Sequence, residues 1–388
     1  MRLHHLTAAL EALAPPALAL PYDNAGLLVG EPDTEITGVL VTLDCLEATV
    51  QEAIDTGCNV IVAHHPVVFS GLKRLTGRTY VERVVMRALR ANVALYAIHT
   101  NLDSVLARGV SGRLAAKLSL RAVTTLQPTA NALQKLAVYV PTDPADLVDR
   151  VAAAMWAAGA GQIGNYDQAS FLTAGTGTFR PLAGANPAVG SAPAAADDPD
   201  GDSDGARAAG VRESVSEHKL EVVVPRVLAK AVLRAAREAH PYEEMAYDLY
   251  DVAGHHPDYG MGAVGDLPEA MSYTAWLDYL CARLDIPGLK ATADAGRPIR
   301  RVAVCGGSGS SLLDAARASG AEAYVTADFK YHEFFNAEDE IVICDIGHYE
   351  SERHTTQLLY EYISTRFGTF AARMTQLDTN PARLYVRK

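Results

Sequence analysis

Val60-Ile61-Val62-Ala63-His64-His65-Pro66 is a run of four apolar residues leading directly into two histidines and a proline. A run this short, closed by proline, reads as a buried strand rather than a helix. The design recurs twice. Ala94-Leu95-Tyr96-Ala97-Ile98 leads into His99-Thr100-Asn101-Leu102-Asp103, and Ile341–Ile346 leads into Gly347-His348, with Glu352 four residues on. Each group of metal-ligand type sits at the carboxyl end of an apolar strand. In a parallel sheet those ends share one edge, and ligand sites form in the crevice beyond it.

The surrounding sequence supports that reading. Strands are expected at Val39–Leu43, Arg301–Cys305 and Ala323–Thr326, with helices at Leu46–Thr56, Tyr80–Ala91, Leu312–Ser319 and Ser351–Arg366. Short apolar strands alternating with helices predict an α/β fold with a largely parallel sheet flanked by helices. The middle of the chain differs. Strands at Leu136–Val140, Lys219–Pro225 and Ala246–Val252, with helices at Pro144–Ala158 and Val227–Ala239, predict a ferredoxin-like α+β module. The expected organisation is a discontinuous α/β core, residues 1–130 and 258–388, interrupted by an inserted domain at 131–257. Within the insert, residues 183–209 are rich in Ala, Gly, Pro and Asp and read as a flexible loop. The acid run Asp197-Asp198-Pro199-Asp200-Gly201-Asp202 lacks the ligand spacing and terminal Glu of a calcium loop.

Composition narrows the function classes. A net charge of −12 argues against a nucleic-acid polymer as partner. No stretch approaches the ~20 apolar residues of a membrane span. Leu6–Leu20 is apolar, but Glu11 interrupts it, and Leu3, Leu6, Leu10 and Leu13 recur at helical spacing. That pattern predicts an amphipathic helix rather than a signal peptide. The five cysteines are odd in number and form no CxxC, as expected of buried thiols in a reducing cytoplasm.

The spacings suit a pair of metal ions. Adjacent residues on an extended chain point in opposite directions, so His64 and His65 suit two ions better than one. His348 and Glu352, four apart, share a helix face. Two close cations repel, so a bridging carboxylate is needed, and Asp103 and Glu352 are the candidates. Spacing alone does not choose between His99 and Asp103 as a ligand. A nitrogen and oxygen donor set without cysteine permits Zn, Mn, Fe, Co or Ni. Lys330 and His332, which with Asp328 follow the strand at Ala323–Thr326, are candidates for anion binding or proton transfer. Gly306-Gly307-Ser308-Gly309-Ser310 lacks the lysine of a P-loop and reads as a structural turn. His255-His256-Pro257 reads as a linker. His240-Pro241-Tyr242-Glu243-Glu244 ends a helix of the insert and belongs to that module's packing or to a pocket of its own.

Five motifs together resemble the NIF-three-like dinuclear-metal proteins, often labelled GTP cyclohydrolase type 2 homologues. They are Tyr22-Asp23-Asn24-Ala25-Gly26-Leu27-Leu28-Val29-Gly30, Ala63-His64-His65-Pro66, His99-Thr100-Asn101-Leu102-Asp103, Val304-Cys305-Gly306-Gly307-Ser308-Gly309 and Gly347-His348-Tyr349-Glu350-Ser351-Glu352. The resemblance spans nearly the whole chain outside the insert, and the insert looks like the PII-like or copper-tolerance-protein-like domain of longer members. Tyr22 departs from it, standing where Trp is more usual. The resemblance implies two divalent ions per chain held by His64, His65, Asp103, His348 and Glu352, with His99 beside them. It implies a toroidal homo-hexamer with the metal sites facing an internal cavity. It also implies a metal-dependent hydrolase acting on GTP or another nucleotide or phosphoester, with His332 or His99 moving protons and Lys330 or the Gly306–Ser310 turn holding phosphate. The alternative is a metal-binding, metal-delivery or regulatory scaffold without catalysis.

Overall fold

The structure, a computed structural model, describes residues 1–182, 184–190, 211–383 and 385. The acid run at 197–204, and the segment expected over 183–209 apart from residues 184–190, lie outside the described residues. The chain divides into two compact units, residues 1–129 with 257–388, and residues 130–256.

The first unit is mixed α/β, and its parallel strands are shared between two sheets where the sequence suggested one. The first sheet has five strands in the order Gly26–Val29, Ala94–Ala97, Val60–Ala63, Gly38–Thr42, Ala371–Met374. All its pairings are parallel except that of Gly26–Val29 with Ala94–Ala97. The second has six, in the order Lys290–Ala291, Val342–Asp345, Ala323–Ala327, Ile299–Ser308, Gly260–Met271, Arg121–Pro128. Only Ile299–Ser308, Ala323–Ala327 and Val342–Asp345 pair in parallel there. The other strands join antiparallel. The correction has a physical cause. An apolar run marks a buried strand, but its partner is chosen by contacts distant in sequence.

Burial explains why these segments are strands. Every residue of Val60–Ala63, Ala94–Ala97 and Val342–Asp345 is buried. In the first sheet, Leu40, Ile61 and Leu95 pack against Val50, Ala53, Val84 and Ala88 of two helices. In the second, Val302, Val304, Val325 and Val342 pack against Trp276, Leu280 and Leu284 of the helix Tyr273–Leu284. Each such side chain contributes roughly 1.5–3 kcal/mol, enough together to hold the strand ends as fixed platforms. The helix Tyr80–Ala91 shows its boundaries in sequence. Thr79 caps its start by accepting from Glu82 N at 3.2 Å, and Asn92 closes it in the left-handed region at φ 56°.

At the N-terminus the expected helix forms. Leu3–Leu13 is a helix with Leu3, Leu6, Leu10 and Leu13 buried. The helix expected over Ser351–Arg366 begins earlier, at His348, and is interrupted at Arg353 into His348–Glu352 and His354–Arg366. Among the described residues no helix is long and apolar enough to cross a membrane. Cys45, Cys58, Cys305 and Cys344 are buried free thiols, and Cys281 is half-buried.

Among its described residues the second unit contains one antiparallel sheet of four strands, in the order Phe171–Phe179, Glu213–Pro225, Leu133–Pro141, Tyr247–Asp251. Helices Leu147–Ala157 and Ala229–Ala239 cover it through Val151, Met155, Val232 and Ala236. The strand Phe171–Phe179 escapes sequence reading because seven of its nine residues are exposed and its Gly and Thr residues carry no apolar signal.

Candidate metal centre

Strand register aligns the polar residues. In the first sheet Thr42 pairs with Ala63, and Ala63 with Ala97. The residues that follow, Leu43-Asp44, His64-His65 and Ile98-His99, therefore leave the sheet level with one another. Backbone bonds extend the alignment, from His65 N to Leu43 O at 3.0 Å and from Ile98 N to Ala63 O at 2.9 Å. The second sheet does the same. Thr326 pairs with Asp345, and Ser308 with Ala327. Asp328, Gly307 and the turn before His348 then lie together.

Side chains from the two sheets meet at Glu352, which is 3% exposed. Its Oε2 lies 2.9 Å from His65 Nε2 and 3.1 Å from His348 Nε2, and its Oε1 lies 3.8 Å from His64 Nε2. His64 Nε2 is also 3.7 Å from Asp103 Oδ1. One candidate ligand atom each from His64, His65 and Glu352 lie within 4.8 Å of one another. The five residues expected as ligands thus stand around one point.

Each imidazole is anchored by the same device. His64 Nδ1 bonds Ile98 O at 2.8 Å, His65 Nδ1 bonds Asp44 Oδ1 at 2.7 Å, and His348 Nδ1 bonds Asp328 Oδ2 at 2.7 Å. His99 Nδ1 bonds Asp23 Oδ1 at 2.8 Å. An acceptor at Nδ1 keeps a proton there and leaves Nε2 able to present its lone pair. For His64, His65 and His348 that Nε2 faces the carboxylates. Asp44 is fixed in turn by Thr379, whose hydroxyl donates at 2.7 Å, and Asp23 by the Thr100 hydroxyl and amide.

Two glycines shape the floor. Gly307, at φ +64°, leaves the space that Glu352 fills, and a Cβ there would collide with Glu352 Oε1. Gly347, at φ +91°, turns the strand Val342–Asp345 into the helix His348–Glu352, and a Cβ there would collide with Glu350. The turn read over residues 306–310 is thus the seat of a carboxylate.

The electrostatics without an ion are those of a crowded cluster. Burial acts to raise Glu352, but the bonds from His348 and His65 and the nearby His64 ring hold it well below the usual carboxylate range. Burial and the charge of Glu352 push Asp103 upward. Burial lowers His65, but Asp44 and Glu352 outweigh it and raise the ring to about 10. The bond to Glu352 raises His348 to about 9 against burial. Protons on these rings occupy the positions that a cation would take. His64 Nε2 and Asp103 Oδ1 are buried and have no hydrogen-bond partner among the described residues. Unsatisfied buried polar atoms cost ~1–3 kcal/mol each, and a cation between this facing pair would satisfy both. The imidazole and carboxylate donors fit a divalent transition ion.

Other candidates fall in different places. The His99 ring is 5.4 Å from that of His64 and 5.5 Å from that of His65, centroid to centroid. Phe69 lies 6.4 Å from His99, and the exposed Tyr22 lies 6.1 Å from Phe69. Lys330 and His332 are exposed, and His332 packs edge-on at 5.2 Å against Tyr331. Asp328 is the residue of that loop that touches the cluster. Asp44 escaped sequence reading, although its position just past the strand Gly38–Thr42 is the same signal that marked the histidines. Tyr22 stands in the first of the five motifs, whereas Phe69 lies beside a turn and shows no pattern in sequence.

The sequence profile of the family described as Duf34/NIF3 (NGG1p interacting factor 3) matches residues 1–381. A Bacillus subtilis (strain 168) protein named "GTP cyclohydrolase 1 type 2 homolog" is 36% identical over 380 residues, covering 96% of this chain and 95% of its own. A Mycobacterium tuberculosis protein of the same name is 34% identical over 392 residues, covering 99% and 97%. A solved Bacillus cereus protein related to NIF3 superposes with a TM-score of 0.80 at 31% identity, covering 99% of each chain.

Proposed function

The chain belongs to the Duf34/NIF3 family, and from that premise we propose that it holds two divalent metal ions with His64, His65, Asp103, His348 and Glu352 and hydrolyses a nucleotide beside them. The observation that carries the reading is the facing pair of buried, unpartnered atoms, His64 Nε2 and Asp103 Oδ1, next to three rings anchored at Nδ1. Glu352 and Asp103 would hold the ions through their carboxylate oxygens. Zn, Fe, Mn, Co and Ni all suit the donors. Bound ions of this class supply a Lewis acid and hydroxide at neutral pH.

The chain's own residues set the rest. Tyr22 and Phe69 offer aromatic faces on which a planar base stacks. His99, fixed by Asp23, stands between those rings and the cluster and is the group to move a proton at Nε2. Lys330 is assigned to the phosphates, and His332 is the second candidate for proton transfer. Relatives carry the name "GTP cyclohydrolase 1 type 2 homolog", and GTP is the first substrate to test. One water opens the guanine imidazole ring and a second releases its C8 as formate. We also assign the four-stranded unit to the PII-like class, the assembly to a homo-hexamer and the compartment to the cytoplasm. Native mass spectrometry tests the hexamer.

The experiment loads the protein separately with Zn, Mn and Fe and measures formate and phosphate release from GTP and a nucleotide panel. Activity present in the protein and lost in His65→Ala supports hydrolysis. Equal inactivity of both with every metal removes it and leaves a metal-binding scaffold.

A further inference from the structure

The unit formed by residues 130–256 has a cleft of about 590 Å³ that the metal-centre chemistry does not use. Its size falls within the range of small-molecule sites, ~300–1,000 Å³. The segment Tyr242-Glu243-Glu244, singled out in the sequence for its ligand-type residues, forms part of the wall. Tyr139, Phe179 and Val189 supply aromatic and apolar surface in the same lining.

The polar groups are arranged, not scattered. Glu217 lies over Gly177 of the neighbouring strand, where a Cβ would collide with its carboxylate. Tyr242 donates its hydroxyl to Glu217 Oε1 at 3.0 Å. Burial and the Glu217 bond both raise the Tyr242 pKa, so the hydroxyl stays a donor and fixes the carboxylate. His240, 8% exposed, locks this corner. Its Nε2 bonds Tyr139 O at 2.9 Å, and its Nδ1 accepts from Tyr242 N at 3.2 Å. Glu243 accepts from Asn186 N at 3.0 Å, and Glu244 is exposed at the cleft.

Charge decides the ligand class. Among the described residues, three carboxylates, Glu217, Glu243 and Glu244, line the cleft against one guanidinium, Arg180. Aromatic faces beside carboxylates attract cations through the ring quadrupole as well as by charge. An anionic ligand would meet repulsion from the same walls. We infer that this cleft binds a small organic cation, a protonated amine carried on an apolar or aromatic body. The body lies on Tyr139, Phe179 and Val189, and the ammonium pairs with Glu217.

The test uses the full chain and three probes with one body: phenethylamine, phenethyl alcohol and phenylacetate, followed by saturation-transfer NMR and calorimetry at pH 7. Phenethylammonium is expected to bind at least about tenfold tighter than either of the others. Glu217→Gln and Gly177→Val should each weaken it by about tenfold or more. Glu244→Gln, at an exposed position that the fold tolerates, should weaken it less. His65→Ala should leave it unchanged, which separates this site from the metal centre. Equal binding of the alcohol or the carboxylate, absence of amine binding at millimolar concentration, or amine binding unaltered in both glutamate variants would overturn the inference.

Discussion

Replacing Gly307 with alanine should remove metal while leaving the protein folded. The new Cβ meets two separate penalties. Gly307 sits at φ +64°, in the left-handed region, where a side chain costs ~1–2 kcal/mol. The Cβ also overlaps Glu352 Oε1, so the carboxylate must retreat on the order of 1 Å to regain van der Waals distance. Metal sites tolerate ligand displacements of only ~0.2 Å. Gly320 separates the two effects. It has φ +76° and open space where its Cβ would go, so Gly320→Ala carries the backbone penalty alone. Both variants should lose ~1–2 kcal/mol in urea unfolding of metal-free protein, with Gly307→Ala at the upper end or beyond. In chelator competition Gly307→Ala should bind metal at least about tenfold more weakly, ~1.4 kcal/mol, while Gly320→Ala matches the parent. Equal metal affinity in all three proteins would refute the claim that Gly307 seats a ligand.

Other consequences are measurable. Asp44→Ala frees the His65 ring, so metal affinity should fall by ~10–100-fold, read by the same competition, with secondary structure by circular dichroism unchanged. Metal-free protein should lose stability as pH rises. The folded-state values of His65 and His348, about 10 and about 9, lie above the unfolded 6.5. Their contribution is therefore complete below pH ~6.5 and disappears as pH passes through ~9–10. Urea midpoints across that window check this, and saturating metal should flatten the profile. For the same reason metal uptake at pH 7 should release protons, seen as a buffer-dependent heat in calorimetry. Phe69→Ala and Tyr22→Ala should each weaken nucleotide binding by ~1–3 kcal/mol in equilibrium titrations without changing metal content.

The legibility of this protein in its sequence follows from which interactions are local. Val60–Ala63 and Ala94–Ala97 are readable as strands because burial on both faces demands continuous apolar residues. The histidines beyond them are readable because a polar pair has no reason to follow such a run unless it is used. His348 and Glu352 are readable because helical spacing alone brings them to 3.1 Å. What spacing cannot reveal is the division into two sheets, which depends on pairings such as Ala263 with Thr125 across the inserted unit. It also cannot reveal the anchors. Asp44 and Asp328 touch their histidines across 21 and 20 residues, and an aspartate in a loop carries no mark of its target. Gly307 was visible only as a turn, because the carboxylate it accommodates comes from 45 residues later in the chain. Lys330 and His332 follow the same strand as Asp328 and shared its signal, yet Asp328 alone of the three bonds a cluster histidine.

The central claim is that the cluster around Glu352 is a two-ion site. Elemental analysis of the protein as purified, beside Asp103→Ala and Glu352→Ala, tests it directly. Close to two divalent ions per chain in the parent, falling sharply in both variants while each keeps its circular dichroism spectrum, is the predicted result. Full metal occupancy in both variants, or a parent that binds no divalent ion after loading with Zn, Mn, Fe, Co or Ni, would contradict it.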